Sequence, residues 1–417
     1  MSKDWNLFDL SDFGVLRAQG PEAVKFLQGQ LSQDIEKLSA ERSLVAGYHN
    51  PQGRAIALVR LVQWGPEDIL VVLPRELTAT VASRLTKFVL RAKVKITEAS
   101  SAWRVTGLVA PHAQPAHWAG GAVSLDDPAS GPVETGGPVT AVGTHSAAAQ
   151  SNATPSNGGG GLSAEASAAT ERPARESPMG TFEGAASSWA AAQFASASAA
   201  VATEGETKSA AAQLEEAGSV VELPEASAFL LPDAVHAQSR AGATAVIRVG
   251  ATPARWLILS PVEEPLPVTG CVVGERDAWR LLDIADGVAQ VYAATSEEFV
   301  AQMLNLDALG GIAFDKGCYT GQEVIARAHY RGRVKRRLQR FFSRGALKLV
   351  PGESGQLADG RTFKVVDAVQ LANGRSEFLA VAGVAEEAVS AGVSAAPAAA
   401  TVQIEAEGLP LAYALPE

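Results

Sequence analysis

Cysteine is nearly missing from this chain: its 417 residues hold two, Cys271 and Cys318. Two thiols so far apart build neither a disulfide framework nor a zinc motif. A reducing, cytoplasmic setting is the expectation. The six histidines, His49, His112, His117, His145, His236 and His329, stand at no metal-ligand spacing with a cysteine or carboxylate. No apolar run reaches the ~20 residues of a membrane span. Met1 to Asn6 carries no basic region leading into an apolar one, so no secretory leader is expected. Also missing are a phosphate-binding P-loop, a GxGxxG after a strand, a GxSxG and an HExxH, which removes the common nucleotide-binding and hydrolytic signals. Positive charge is in deficit. The 35 Lys and Arg against 45 Asp and Glu leave a net charge of −10, which argues against a general nucleic-acid coat.

A hydrophobic share of 47% is enough for real cores, and the length suggests two or three domains. Residues 13–19 read as a strand, and Gly20-Pro21-Glu22 opens a helix with Phe26 and Leu27 on one face. Asn50-Pro51-Gln52-Gly53-Arg54 is a hairpin turn between strands. Strands are expected at 55–64 and 68–73, a helix at 75–90, and strands at 94–97 and 103–109. From about Pro111 to Glu222 the chain turns rich in Ala, Ser, Gly, Thr and Glu. Its centre lacks the large aliphatics that would offset chain entropy, and it reads as a disordered insertion. Strands resume at 243–249 and 255–260. Helices are expected at 277–284 and 297–306. After Gly332 the pattern is β-rich, with turns at Pro351-Gly352, Asp359-Gly360 and Asn373-Gly374. The organisation expected is therefore an α+β part over 1–110, the insertion over 111–242, a second α+β part over 243–336, and a small C-terminal barrel over 337–417.

The densest chemistry lies in Lys316-Gly317-Cys318-Tyr319-Thr320-Gly321-Gln322-Glu323. Thr320 and Glu323 fit a capping box, with Tyr319 and Val324 as its hydrophobic staple, so a helix is expected to run to Tyr330. Cys318 then lies just outside a positive helix N-terminus with Lys316 close by, and both favour a thiolate. The chemistry alone leaves two readings, a functional thiol or a structural cysteine beside a turn. Cys271, on an apolar stretch, reads as a small core residue. From Arg327 to Lys348 nine cations follow with no Asp or Glu: Arg327, Arg331, Arg333, Lys335, Arg336, Arg337, Arg340, Arg344 and Lys348. This is either a solvated edge or an anion site for a carboxylate or an RNA backbone. Trp279 either stacks on a planar ring or anchors a core.

The cysteine stretch, continuing as Val324-Ile325-Ala326-Arg327, resembles the signature of the YgfZ family, folate-binding proteins related to the aminomethyltransferase of the glycine cleavage system. Phe26-Leu27-Gln28-Gly29-Gln30 with Asp34, Asn50–Arg54, Leu85–Arg91, Trp279–Gly287 and Asn305-Leu306 share the resemblance. It implies two α+β domains plus a small C-terminal β-barrel, around a central channel that binds tetrahydrofolate. It also implies a role in supporting iron–sulfur enzymes, among them a radical tRNA-modifying enzyme. Cys318 is then the functional thiol, with Lys316 beside it. The family's two aromatic folate contacts fall on Phe13, where Trp is typical, and on Trp279. Tyr319, Gly321, Gln322, Glu323 and Arg327 are carried over as cofactor-facing positions. Ala301 replaces a proline often found before Gln302.

One cysteine cannot hold a cluster that needs ~four ligands, so any cluster contact is shared with a partner. The basic run suits the carboxylates of a folate tail. A monomer with no membrane contact is expected. Weak tRNA contact through 327–348 and a folate-dependent aminomethyl transfer are the competing readings.

Overall fold

The computed structural model describes residues 5–111, 230–266, 268, 271–384 and 402–416. The centre of the expected insertion lies outside these residues. All of the described residues belong to one compact unit, Met1–Ala122 with Val220–Glu417.

The first half forms β1 (Asn6–Asp9), β2 (Phe13–Gln19), α1 (Ala23–Gln28), β3 (Leu44–His49), β4 (Ala55–Gly65), β5 (Asp68–Pro74), α2 (Arg75–Val89), β6 (Lys95–Glu98) and β7 (Trp103–Val109). Five of these strands make one antiparallel sheet in the order β3-β4-β5-β2-β6. From Ala55 to Val59 and from Ile69 to Pro74 every residue is buried. Such unbroken burial means that both faces of the sheet are covered. One face packs under α2 through Leu77, Val81 and Leu85. The other meets a layer that includes Phe8, Trp103 and Trp279.

That layer belongs to a second sheet, whose strands come from both sides of the insertion. The later strands are β8 (Gln238–Ala241), β9 (Thr244–Gly250), β10 (Arg255–Pro261) and β11 (Val272–Gly274), and the order is β11-β1-β7-β10-β9-β8. β7 and β10 pair over their full length, Trp103 opposite Pro261 and Val109 opposite Arg255. Residues 230–241, expected inside the insertion, are therefore ordered, with β8 as an edge strand against β9. Cys271 adjoins β11, half-buried and in no disulfide, and burial pushes its thiol up.

Helix α3 (Arg276–Ala285) follows, then a 3-10 turn at Ala301–Leu304, then α4 (Gln322–Tyr330). The helix expected at 297–306 does not form. Glu297 and Asn305 both adopt left-handed backbone, at φ 64° and 55°. The segment instead pairs with the hairpin, through Ala55 N–H to the Phe299 carbonyl at 2.8 Å and Glu297 N–H to the Ala55 carbonyl at 2.7 Å.

The C-terminal part holds β12 (Arg336–Ser343), β13 (Ser354–Leu357), β14 (Thr362–Gln370), β15 (Ser376–Gly383), β16 (Val402–Ile404) and β17 (Ala406–Leu409). The sheet order is β16-β13-β14-β15-β12-β17. Its two edge strands are consecutive in the chain, separated by Glu405 alone. Opposite edges joined by one residue require the sheet to curl round on itself. Phe341, Phe363, Val365, Phe378 and Ile404 fill its interior. The α+β architecture with a small C-terminal barrel is therefore as expected. No helix among the described residues is long and apolar enough to cross a membrane.

Candidate functional site

Three stretches far apart in sequence meet around Cys318. The first is the turn after α1. Lys316 Nζ donates to the carbonyls of Gln28, Leu31 and Gln33 at 2.8, 2.8 and 2.7 Å. Ser32 adds a second tie, its hydroxyl donating to the Gly311 carbonyl at 2.6 Å and accepting from Gly47 N–H at 2.8 Å. Burial pushes the Lys316 ammonium down to about 8, against the fields of Asp34 and Glu36. An ammonium has three donors, and all three are engaged. Lys316 therefore pins the cysteine stretch to the first domain part, and its donors are not turned toward the thiol.

The second stretch is the Asn50–Arg54 turn. Asn50 Oδ1 accepts from Gln52 and Arg54 N–H, both at 3.0 Å, while its amide donates to Glu297 at 2.8 Å. Glu297 also binds Arg84 of α2. The turn packs directly on the third stretch. At Gly321, φ is +82° and a Cβ would lie 2.5 Å from the Asn50 carbonyl oxygen. Only glycine fits there. At Gly53, φ is +70° and a Cβ would press on Val324 at 3.0 Å.

The capping box does not form. Gly321 is the N-cap of α4 and makes no side-chain cap bond. Gln322 reaches back instead, its Oε1 accepting from Tyr319 N–H at 3.0 Å. The left-handed turn that lets Gly321 touch the hairpin moves the helix start past Thr320, so Thr320 and Glu323 cannot take the box geometry. Tyr319 packs partly into the core, and burial pushes its hydroxyl up to about 12. Cys318 is exposed and free on the turn before α4. Glu323 and Arg327 are exposed on the helix. Phe314 stacks on His329 at 3.8 Å, tying the far end of α4 to the chain that leads into the cysteine.

Phe13 and Trp279 meet in a different layer. Both belong to the apolar cluster between the first two sheets, Phe13 partly buried at its margin. Trp279 is 2% exposed. Its ring lies against Gly107, where a Cβ would come within 2.4 Å, and 5.7 Å from the Phe8 ring. The Arg255 guanidinium sits 5.2 Å from its centroid. Arg255 is fully buried, paired to Asp283 and Asp286 at 2.6 Å each. Helix α3 separates the two groups of residues and touches both. Trp279 and Leu282 face the layer of Phe13, while Leu281 and Ile284 face the core that holds Ile325 of α4.

The basic run divides. Arg337 is buried and paired with Asp307 at 3.0 Å, and Arg340 pairs with Glu377 at 2.6 Å. Arg336 donates to the Val381 carbonyl at 3.2 Å. Arg327, Arg331, Arg333, Lys335, Arg344 and Lys348 are exposed. A third of the apparent strip, Arg336, Arg337 and Arg340, is therefore internal wiring of β12, whose alternation between core and surface the charge count hides. Sequence reasoning also passed over His49 and Arg60. His49 is 1% exposed and its two ring nitrogens have no partner among the described residues. Its only sequence signal is a histidine in an otherwise apolar strand. Among the described residues no group of three or more His, Cys, Asp and Glu could hold a metal ion.

No protein-family model matches the chain. It is 36% identical over 154 residues to the tRNA-modifying protein YgfZ of Cronobacter sakazakii, a match covering 35% of this chain and 47% of that protein. It is 38% identical over 156 residues to the tRNA-modifying protein YgfZ of an Enterobacter species, with the same coverage. The chain thus spans about half the length of the curated relatives it matches. The glycine cleavage system aminomethyltransferase T of Bartonella henselae superposes with a TM-score of 0.51, covering 92% of this chain and 79% of that one at 13% identity. The resemblance to YgfZ proteins read from the cysteine stretch is borne out, and the fold is that of aminomethyltransferase T.

Proposed function

We propose that this protein is a tetrahydrofolate-binding accessory factor that supports iron–sulfur enzymes acting in tRNA modification, with Cys318 as its functional thiol. The observation that carries this reading is the convergence at Cys318. The α1 turn, the Asn50–Arg54 hairpin and the Lys316–Glu323 stretch are the segments that resemble the YgfZ signature, and they build one rigid frame around an exposed, free cysteine. A structural cysteine would be buried. The relatives named as tRNA-modifying proteins and the aminomethyltransferase fold support the same reading.

The residues suit a folate. Phe13 offers a half-buried aromatic face at the margin of an apolar layer, and Trp279 lies deeper in that layer, sealed by Gly107 and Phe8. A pterin would meet Phe13 first. A thiolate at Cys318 can attack a carbon or sulfur electrophile or lend one ligand to soft iron, the other ligands coming from a client protein. The exposed cations Arg327, Arg331 and Lys335 flank this turn and suit weak contact with a tRNA backbone.

The test is a pair of measurements on the full chain. Tetrahydrofolate is titrated into wild type and Cys318→Ala, and tRNA modification is scored in cells carrying each. The expected result is equal folate affinity and no rescue by the variant. Absence of folate binding to wild type overturns the ligand; full rescue by Cys318→Ala overturns the thiol. Turnover of an aminomethyl-lipoyl donor with tetrahydrofolate would replace the accessory role with a transferase.

A further inference from the structure

Arg60 is a partly buried cation to which the site above gives no task. It stands on β4 directly opposite Val72 of β5, and Val72 stands opposite Val15 of β2. Residues opposite one another share a sheet face. Arg60 therefore shares the face of Val15 and of Phe13, two residues along β2, and this face meets the layer of Trp279. Two interstrand steps of ~4.8 Å and one two-residue step of ~6.6 Å place the Cα atoms of Phe13 and Arg60 about 12 Å apart.

The partners of Arg60 are neutral. Its Nη1 contacts Ser43 Oγ and His236 Nδ1, each at 3.2 Å. The Ser43 hydroxyl donates onward to the His236 carbonyl at 3.0 Å. Burial, with the fields of Arg60 and Arg42, pushes His236 down to about 3, so its ring is an uncharged acceptor. Burial also lowers Arg60, to about 10, which leaves it charged at neutral pH. Among the described residues no carboxylate bonds to Arg60, and its Nε and Nη2 have no acceptor. Asp283, whose field reaches it, is held by Arg255 at 2.6 Å. Three other guanidiniums are matched, Arg255 by two aspartates, Arg337 by Asp307 and Arg280 by Asp367, while buried Arg248 has its donors taken by the Gly250 and Ala251 carbonyls. A charged planar fork fixed on one side by neutral groups, with donors open on the other, is built to take a carboxylate.

We propose that Arg60 anchors a carboxylate at the p-aminobenzoyl-glutamate end of a folate whose pterin lies near Phe13. The inference rests on the folate reading above. The separation of the two positions suits the opposite ends of one elongated ligand. It moves the tail contact from the exposed strip after Arg327 to this partly buried position.

The experiment compares tetrahydrofolate with 6-methyltetrahydropterin, which lacks the carboxylate end, by titration into wild type, Arg60→Gln, Arg60→Lys and Arg331→Gln. Loss of one charge-assisted contact weakens tetrahydrofolate by about 10- to 100-fold in Arg60→Gln. The pterin binds that variant as it binds wild type, Arg60→Lys falls between, and Arg331→Gln matches wild type. Should Arg60→Gln fail to fold, Arg60→Lys decides, with a several-fold loss for tetrahydrofolate alone. Equal affinity of both ligands for wild type and Arg60→Gln, equal loss of both, or a loss confined to Arg331→Gln overturns the anchor while folate binding stands. If wild type binds no tetrahydrofolate, the folate reading itself falls and the anchor with it.

Discussion

The Lys316 ammonium donates to the Leu31 carbonyl at 2.8 Å across 285 positions of chain. With the bonds to Gln28 and Gln33 it makes the cysteine stretch an extension of the α1 turn. Lys316→Met removes all three bonds while keeping most of the stem. Hydrogen bonds from a charged donor contribute about 1.5–3 kcal/mol, and water can reach part of this exposed turn, so a loss of about 2 kcal/mol is expected. Urea unfolding measures the loss. Proteolytic nicking near Gly317 should rise well beyond what the global loss explains. Nicking that tracks global stability alone would show that Lys316 is not a local pin.

The glycines of the motif separate by function. Gly321 sits at φ +82° with the Asn50 carbonyl 2.5 Å from any added Cβ, whereas a Cβ on Gly317 meets nothing within 4 Å. A left-handed non-glycine residue costs roughly 1–2 kcal/mol before any clash. Gly321→Ala is expected to lose at least ~2 kcal/mol. Gly317→Ala should stay within about 0.5 kcal/mol of wild type, as an open surface change does. Denaturant midpoints of the two variants test the contrast. Equal losses would mean that the hairpin contact is not what fixes Gly321.

Much of this was legible in the sequence. Strands β2 and β7 begin and end where alternation and flanking turns put them, at 13–19 and 103–109. The cysteine stretch identified its own neighbourhood, because Gly53 and Gly321 are needed for one contact that both motifs share. The misreadings have tertiary causes. Thr320 and Glu323 satisfy a local cap rule, but the Asn50 carbonyl imposes the left-handed turn at Gly321 that defeats it. Glu297 would continue a helix if its side chain were free, but Asn50 and Arg84 hold it. Arg337 and Arg340 counted as surface charge until β12 turned them toward Asp307 and Glu377. Arg60 gave no signal, since an arginine in a strand usually faces water.

Acid should act through histidine. Burial holds both His49 and His236 at about 3, below the ordinary value of 6.5. The folded value is the depressed one, so their contribution is whole above about 6.5 and is lost as pH falls toward 3. For His49, buried and unpartnered, the loss between pH 7 and 4.5 is about 2–3 kcal/mol. His49→Leu has no group to protonate there. Its stability should match or exceed wild type at pH 7, and its decline toward pH 4.5 should be shallower by about that amount. Parallel curves for the two proteins would remove His49 from the acid response.

Helix α3 carries Trp279 and is tied to the barrel at Arg280. The guanidinium binds the Asp367 carboxylate and donates to the Ala368 carbonyl at 2.8 Å. Tyr292 donates to the other Asp367 oxygen at 3.0 Å. Asp367 is 1% exposed, so removing its partner strands a buried charge. Such a break costs about 3–5 kcal/mol, whereas replacing a whole buried pair with apolar residues of similar volume is often neutral. Arg280→Met alone is therefore expected to lose about 3 kcal/mol. Adding Asp367→Leu should recover much of that loss, leaving the Tyr292 hydroxyl and the Ala368 N–H and carbonyl without these partners. The double variant also separates stability from position. If the ion pair only holds the fold together, recovering stability recovers tetrahydrofolate affinity. If it sets the angle at which α3 presents Trp279 beside Phe13, the double variant is stable and binds weakly. A double-mutant cycle run in parallel on unfolding and on binding distinguishes the two, and additive losses in unfolding would show that no coupling exists to explain.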